Sequence, residues 1–296
     1  VVTRTSSGRG EIPCPAGTVG EIVHSPVDGY HHYRVRFLDL TEASFLPSEI
    51  ELLTAFKEGD LSPQMDQRRA ERLRGRVILQ CVVGSRAFGL ADEDSDIDRR
   101  GVYLPTADEH WSLEGVPPQI EFDASQEIYW ELEKFLRLAL KSNPNILESL
   151  YSPLIEKVTP MGRRLIDLRE CFLSRLVYQT YSGYVVSQFR KMQADIRSHG
   201  VPKWKHVMHL IRLLLAGIVV LREARVPIQV GDARDRLLAI KRGEVAFEEV
   251  DRWRLELHQQ LEQARELSTL PERPDYATVN QFLIDARHAA TGNQLP

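Results

Sequence analysis

The pattern of apolar and polar positions changes twice along the chain. Between Thr18 and Leu52 it has a period of two, with Val35 and Phe37 on one face of Tyr33–Leu38, and Gly or Pro punctuates the segments. Short strands at Thr18–His24, Tyr33–Leu38, Ala43–Leu46 and Ser48–Leu52, with a turn at 25–29, predict a small SH3-like β-barrel over residues 1–58. The next stretch, 59–70, is polar and contains Gly59 and Pro63, the composition of a linker, and Ala70–Arg74 reads as the end of a helix. Val77–Val83, apolar except for Gln80 and stopped by Gly84, reads as a buried strand. Ser95-Asp96-Ile97-Asp98 leads into a second strand ending at Leu104, Thr106–Gln119 reads as loop, and Ile120–Trp130 as extended chain. From Glu131 the period becomes three and four: Leu132, Phe135, Leu136 and Ala139 share a helix face, and Asn143-Pro144-Asn145 breaks and caps. Beyond Gly162 the pattern is helical almost throughout, including Lys203–Leu221, Glu248–Leu267 and Val279–Ala289. The fold class expected is α+β, with a core at 71–155 and a helical domain at 156–296.

The stretch Val77–Leu104 carries the candidate chemistry. On a strand Asp96 and Asp98 point to one face and Ile97 to the other, towards a core. Two neighbouring carboxylates repel unless a cation lies between them, and Mg²⁺ or Mn²⁺, a hard ion that keeps substrate phosphates among its ligands, meets that need. Gly84 at the end of the buried strand lets backbone N–H groups approach an anion, and Ser85 adds a hydroxyl at an expected helix start. Asp-x-Asp also occurs in solvated turns; here it follows a Gly-Ser turn off a buried strand, the layout of a site for a nucleoside triphosphate. On the helix expected around Lys203–Leu221, Lys205, His209 and Arg212 fall at i, i+4 and i+7 and share a face, while Met208, Ile211 and Leu215 share another.

Composition sharpens this picture in places. The formal net charge is −4, but it is unevenly spread: Thr106–Glu133 holds eight acidic residues and no Lys or Arg, whereas Met161–Arg225 holds twelve Lys or Arg and four Asp or Glu. A basic helical half facing an acidic metal-binding half suits a triphosphate or an RNA backbone, although each arginine taken alone also suits a solvated helix face. Arg34, Arg36 and Tyr33 offer a weak nucleic-acid surface, and His31 and His32 point to opposite sides of a strand, against a metal site there. Three widely spaced cysteines (Cys14, Cys81, Cys171), without Cys-x-x-Cys, argue for a reducing cytoplasm and against zinc. The opening VVTRTSSGRG lacks the apolar core of a signal peptide, and the longest apolar run, Leu213–Leu221, is short for a membrane span.

Gly84-Ser85, Gly89 and Asp96-Ile97-Asp98 resemble the Gly-Ser…Asp-x-Asp signature of the DNA polymerase β-type nucleotidyltransferase superfamily. Lys134–Pro153, Lys205–Pro227 and Leu237–Glu244 resemble its bacterial RNA-repair-pathway DNA polymerase β family, over roughly residues 70–250. The resemblance implies a polymerase-β-like core, a mixed sheet with helices, that transfers a nucleotide from an NTP to an acceptor hydroxyl with release of pyrophosphate. An RNA end is the first-choice acceptor, and a protein or small molecule receiving AMP is the rival. A non-catalytic RNA-binding or regulatory protein is the reading from outside the enzymes. The implied roles are phosphate binding at Gly84 and Ser85, metal binding at Asp96 and Asp98, charge neutralisation at Arg86 and Lys205, and further contact with the nucleotide at His209 and Arg212. Such sites commonly add a third carboxylate on a later strand. Glu121, Asp123 and Glu127 are available, and Glu127, opening the apolar Ile128-Tyr129-Trp130, is the choice.

Overall fold

The structure, a computed structural model, describes residues 1–4, 15–26, 32–61, 67–93 and 95–291, apart from the side chains at 58–61 and 67. Cys14, His31, most of the turn expected at 25–29 and the linker segment around Pro63 lie outside the described residues. The chain divides into two compact units, Val1–Gln67 and Arg68–Pro296.

The first unit contains β1 (Val2–Thr3), β2 (Gly20–His24), β3 (Tyr33–Phe37), β4 (Glu42–Phe45), β5 (Ile50–Glu51) and helix α1 (Leu53–Leu61). β2, β3 and β4 form an antiparallel meander, β1 pairs with β5, and Val2 bridges to Val19. The period-two pattern turns Val35, Phe37, Ala43 and Phe45 inward, and the rings of Phe37 and Phe45 meet edge to face with centroids 6.0 Å apart. Arg34 and Arg36 both pair with Glu42, at 3.3 and 2.8 Å, so the sheet compensates their charge locally.

The second unit opens with α2 (Gln67–Arg74), β6 (Val77–Val83), the short α3 (Gly84–Phe88), β7 (Asp98–Tyr103), α4 (Ala107–Trp111), β8 (Gln119–Phe122), β9 (Glu127–Glu131), α5 (Leu132–Leu140), α6 (Pro144–Tyr151) and β10 (Ile155–Val158). The helices α7 (Pro160–Asp167), α8 (Leu176–His199), α9 (Trp204–Glu223), α10 (Arg234–Arg242), α11 (Phe247–Leu267) and α12 (Tyr276–Ala289) follow. The sheet is mixed, in the order β10-β6-β7-β9-β8, with β7 and β9 parallel and the other pairs antiparallel. Its two faces have different fates. Ile78, Val102, Leu104 and Trp130 join one large core that continues through α5–α12, so residues 71–155 and 156–296 share their interior. On the other face Val77, Tyr103, Ile120 and Tyr129 pack with Leu73 of α2 in a smaller cluster.

Three local expectations change. Strand β7 begins only at Asp98, so Asp96 precedes it and Ile97, expected in the core, is 38% exposed. The stretch expected to be loop after Thr106 contains α4, started by a capping box in which the Thr106 hydroxyl accepts from the Glu109 N–H and the Glu109 carboxylate accepts from the Thr106 N–H. Helix α9 is, by length and composition, apolar enough to cross a membrane, but 67% of its apolar window is buried among the other helices of the unit.

Candidate active site

The site is built where β6 hands over to α3. Antiparallel register pairs Val83 with Asp98, which sets the Asp98 carboxylate beside the corner at Gly84. Gly84 has φ +70°, in the left-handed region, and a Cβ there would lie 2.7 Å from Asp98 Oδ2. Glycine is therefore required twice, by the backbone and by the space. Next to this corner a cavity of about 280 Å³ is lined by Ser85, Asp96, Asp98, Lys205, His209 and Lys241, among others.

The loop carrying Asp96 is tied at several points. Lys241 Nζ pairs with Asp92 at 2.8 Å, and the Ser95 hydroxyl donates to Asp92, so these two contacts, Lys241 first, hold the Asp92 carboxyl down at about 2. Arg86 donates to the carbonyl oxygens of Ser95 (2.7 Å) and Asp96 (3.4 Å). Arg86 was expected on phosphate; its side chain is exposed and lines neither cavity of the site, and it braces the Asp96 loop from outside.

Helix α9 places its basic residues at different depths. Lys205 is exposed at the rim and His209 lies further in. Burial, followed by the charges of Arg212 and Lys205, pushes the His209 imidazole down to about 4, so it is neutral near pH 7 and offers hydrogen bonding rather than charge. Arg212, expected beside them on the triphosphate, lies outside the first cavity: it is buried, pairs with buried Glu148 at 2.7 Å and stacks its guanidinium 3.8 Å from the centre of the Phe88 ring.

A second cavity, of about 380 Å³, shares Gly84, Phe88, Asp98 and His209 with the first and extends past Arg100 and Trp130 to Glu148, Tyr184 and Arg212. Asp98 thus borders both spaces. Its Oδ1 accepts from Arg100 Nη2 at a long 3.3 Å. Asn143, the cap of α6, also donates from Nδ2 to the Tyr184 hydroxyl at 2.8 Å and fixes that ring.

Glu127 does not join the group. In the parallel β7–β9 pairing Arg100 stands opposite Ile128, so Ile128 and Trp130 face the cavity while Glu127 and Tyr129 face the other side. There the Glu127 carboxylate accepts from Arg74 Nη2 and from the Tyr129 hydroxyl, both at 2.7 Å. Glu121 and Asp123 are exposed and line neither cavity. Among the described residues no three His, Cys, Asp or Glu side chains cluster to hold a metal ion. Two hard carboxylates at the mouth of a cavity that also holds Ser85, Lys205 and Lys241 fit a magnesium-type ion whose remaining ligands are substrate phosphates and water.

Sequence reasoning passed over Lys241, Glu148, Trp130 and Arg100. Lys241 sits within the Leu237–Glu244 segment already noted, and Arg100 stands two residues after Asp98 on the same strand face, so period two was a sufficient signal for it. Glu148 has no such signal, since it looks like one more polar position on an amphipathic helix.

Two comparisons with known proteins bear on this geometry. A stretch of 92 residues is 40% identical to the uncharacterized protein YcgL of Bacillus subtilis (strain 168), covering 30% of this chain and 35% of that protein. The match thus spans about a third of that relative's length. The profile of the RNA repair pathway DNA polymerase beta family matches residues 58–285, which takes in every side chain of both cavities and leaves out most of the first unit. The chain belongs to the RNA repair pathway DNA polymerase beta family, of the polymerase-β-like nucleotidyltransferase type.

Proposed function

We propose that the protein transfers a nucleotide from a nucleoside triphosphate to a hydroxyl at an RNA end and releases pyrophosphate. The observation that carries the reading is the convergence of Ser85, Asp96, Asp98, Lys205 and Lys241 on one cavity beside a glycine that admits no side chain. Ser85 and the open backbone at Gly84 receive the β- and γ-phosphates. Lys205 and Lys241 neutralise the charge that builds on the departing pyrophosphate. Lys241 must exchange Asp92 for phosphate to do so, and because the Asp92 carboxylate is exposed to water that pair is weak enough to be exchanged. Asp96 and Asp98 hold a magnesium or manganese ion, which when bound draws charge from the phosphates and acidifies the attacking hydroxyl.

The acceptor oxygen attacks the α-phosphorus in line. The new O–P bond forms as the bond between the α-phosphorus and its bridging oxygen breaks, and pyrophosphate leaves with the electron pair. With Glu127 turned away, the proton of the acceptor hydroxyl passes to water. Neutral His209, between the two cavities, donates a hydrogen bond to a phosphate oxygen without adding charge.

The test incubates the protein with Mg²⁺, labelled NTPs and, separately, RNA, proteins and small hydroxyl acceptors. Label on RNA with release of pyrophosphate is the expected result. Label on a protein or small molecule moves the acceptor, and no pyrophosphate in any mixture overturns the enzymatic reading. Asp96→Asn serves as the control that must lose turnover while keeping its fold.

A further inference from the structure

The cavity beyond Asp98 has a chemistry of its own. At about 380 Å³ it is within the range of small-molecule sites, and it accommodates a base and a sugar. Trp130 and Tyr184 line it, the latter held by its hydrogen bond from Asn143, so aromatic surface is presented by side chains with little freedom left to lose. The side-chain amides of Asn145 and Gln188 also line it and make no hydrogen bond among the described residues. Each carries donors and an acceptor, the pair of functions that the edge of a nucleobase requires.

Glu148 is the unusual member. It is 4% exposed, and Arg212 holds its Oε1 at 2.7 Å. The carboxylate makes no other hydrogen bond among the described residues, so its Oε2 is left open. An ionised carboxylate only accepts, and one oxygen left open in a cavity wall selects a ligand that brings O–H or N–H donors. The Arg212 guanidinium neutralises the charge, so what Glu148 adds is a directed acceptor rather than a net negative field. Aromatic walls, unpaired amides and a fixed carboxylate oxygen together match a nucleoside whose ribose hydroxyls are free.

We infer that the cavity formed by Trp130, Asn145, Glu148, Tyr184 and Gln188 is a ribonucleoside pocket in which Glu148 accepts a hydrogen bond from a ribose 2′-hydroxyl and so selects RNA-type over DNA-type sugars. This rests on the nucleotidyltransferase reading for the source of the nucleoside. Because Asp98 borders both cavities, the pocket receives either the sugar and base of the NTP whose phosphates lie at Ser85 or the terminal nucleoside of the acceptor. Both ligands have the same chemistry.

The experiment has two arms, each run on the wild-type protein and on Glu148→Gln. One measures equilibrium binding of nonhydrolysable α,β-methylene NTPs against their 2′-deoxy counterparts in Mg²⁺. The other measures transfer to RNA oligonucleotides ending in a ribose or in a 2′-deoxyribose. Loss of a hydrogen bond to a charged acceptor predicts a preference for ribose of about tenfold or more in one arm, abolished or much reduced in Glu148→Gln. The arm in which it appears identifies the source. Equal use of both sugars in both arms by the wild-type protein overturns the inference. That comparison changes only the ligand, so it stands even if Glu148→Gln, which leaves Arg212 buried without a counter-charge, does not fold. Ribose-dependent binding without transfer sinks the proposed reaction and leaves the pocket standing, whereas transfer with both arms blind to the sugar does the opposite.

Discussion

A Cβ built on Gly84 lies 2.7 Å from Oδ2 of Asp98, closer than any carbon and oxygen rest without displacement. The glycine that follows β6 and the carboxylate that begins β7 are therefore fitted to each other. The positive φ of Gly84 adds a backbone reason to the steric one. Gly84→Ala should cost about 1 kcal/mol in stability from the backbone alone, and it must also push the Asp98 carboxylate aside. The expected outcome is a loss of transfer of about a hundredfold with a modest drop in Tm. Transfer rates and thermal unfolding on the same preparation check it, and a variant with unimpaired transfer removes Asp98 from the site.

Asp98→Asn keeps the size of the side chain and removes the charge that the proposed metal site needs. Transfer should fall to background while far-UV circular dichroism and Tm stay close to wild type, since the substitution weakens a hydrogen bond from Arg100 that is already long at 3.3 Å.

Glu127→Gln separates the carboxylate singled out in the sequence from those lining the cavities. Glu127 is held by Arg74 and the Tyr129 hydroxyl on the far face of the sheet. The substitution should leave transfer within about twofold and lower stability by about 1–2 kcal/mol, at the low end for a buried pair because the Arg74 side chain is 38% exposed and remains solvated. Chemical denaturation and steady-state rates measure the two effects independently.

His209 gives a pH dependence with a defined sign. Its folded pKa, about 4, lies below the ordinary 6.5, so the unfolded chain binds the extra proton in that interval. Stability contributed by the neutral imidazole is complete above pH 6.5 and is lost as pH falls towards 4, up to about 3 kcal/mol. Urea unfolding between pH 7 and 4.5 should show a steeper decline for the wild-type protein than for His209→Gln.

The thiols differ by environment. Cys81 is fully buried in β6, with Sγ 3.3 Å from the Ser149 carbonyl oxygen, and burial pushes it up to about 12. Cys171 is only partly buried. A thiol reagent at neutral pH should modify Cys171 and leave Cys81 untouched until the protein unfolds, which peptide mapping after timed labelling resolves.

Local periodicity and short spacing were legible in the amino-acid order alone. The run Val77–Val83, apolar except for Gln80, is short, rich in β-branched residues and stopped by glycine, which marks it as a strand, and the change from period two to three and four placed the helices. Lys205 and His209, four apart on one helix, share a face by helix geometry, and that face meets the cavity. Which face of each element meets which partner followed only from the packed chain. Glu127 and Ile128 differ by one position, and the parallel register with β7 turned the acid away and the isoleucine in. Asp96 left the strand because β7 begins two residues later than the alternation implied, and Arg212 was drawn inward by a carboxylate 64 residues away. The physical reason is common to all three. Pairing, register and burial are set by contacts between segments distant in sequence, and no window a dozen residues wide contains the other half of such a contact.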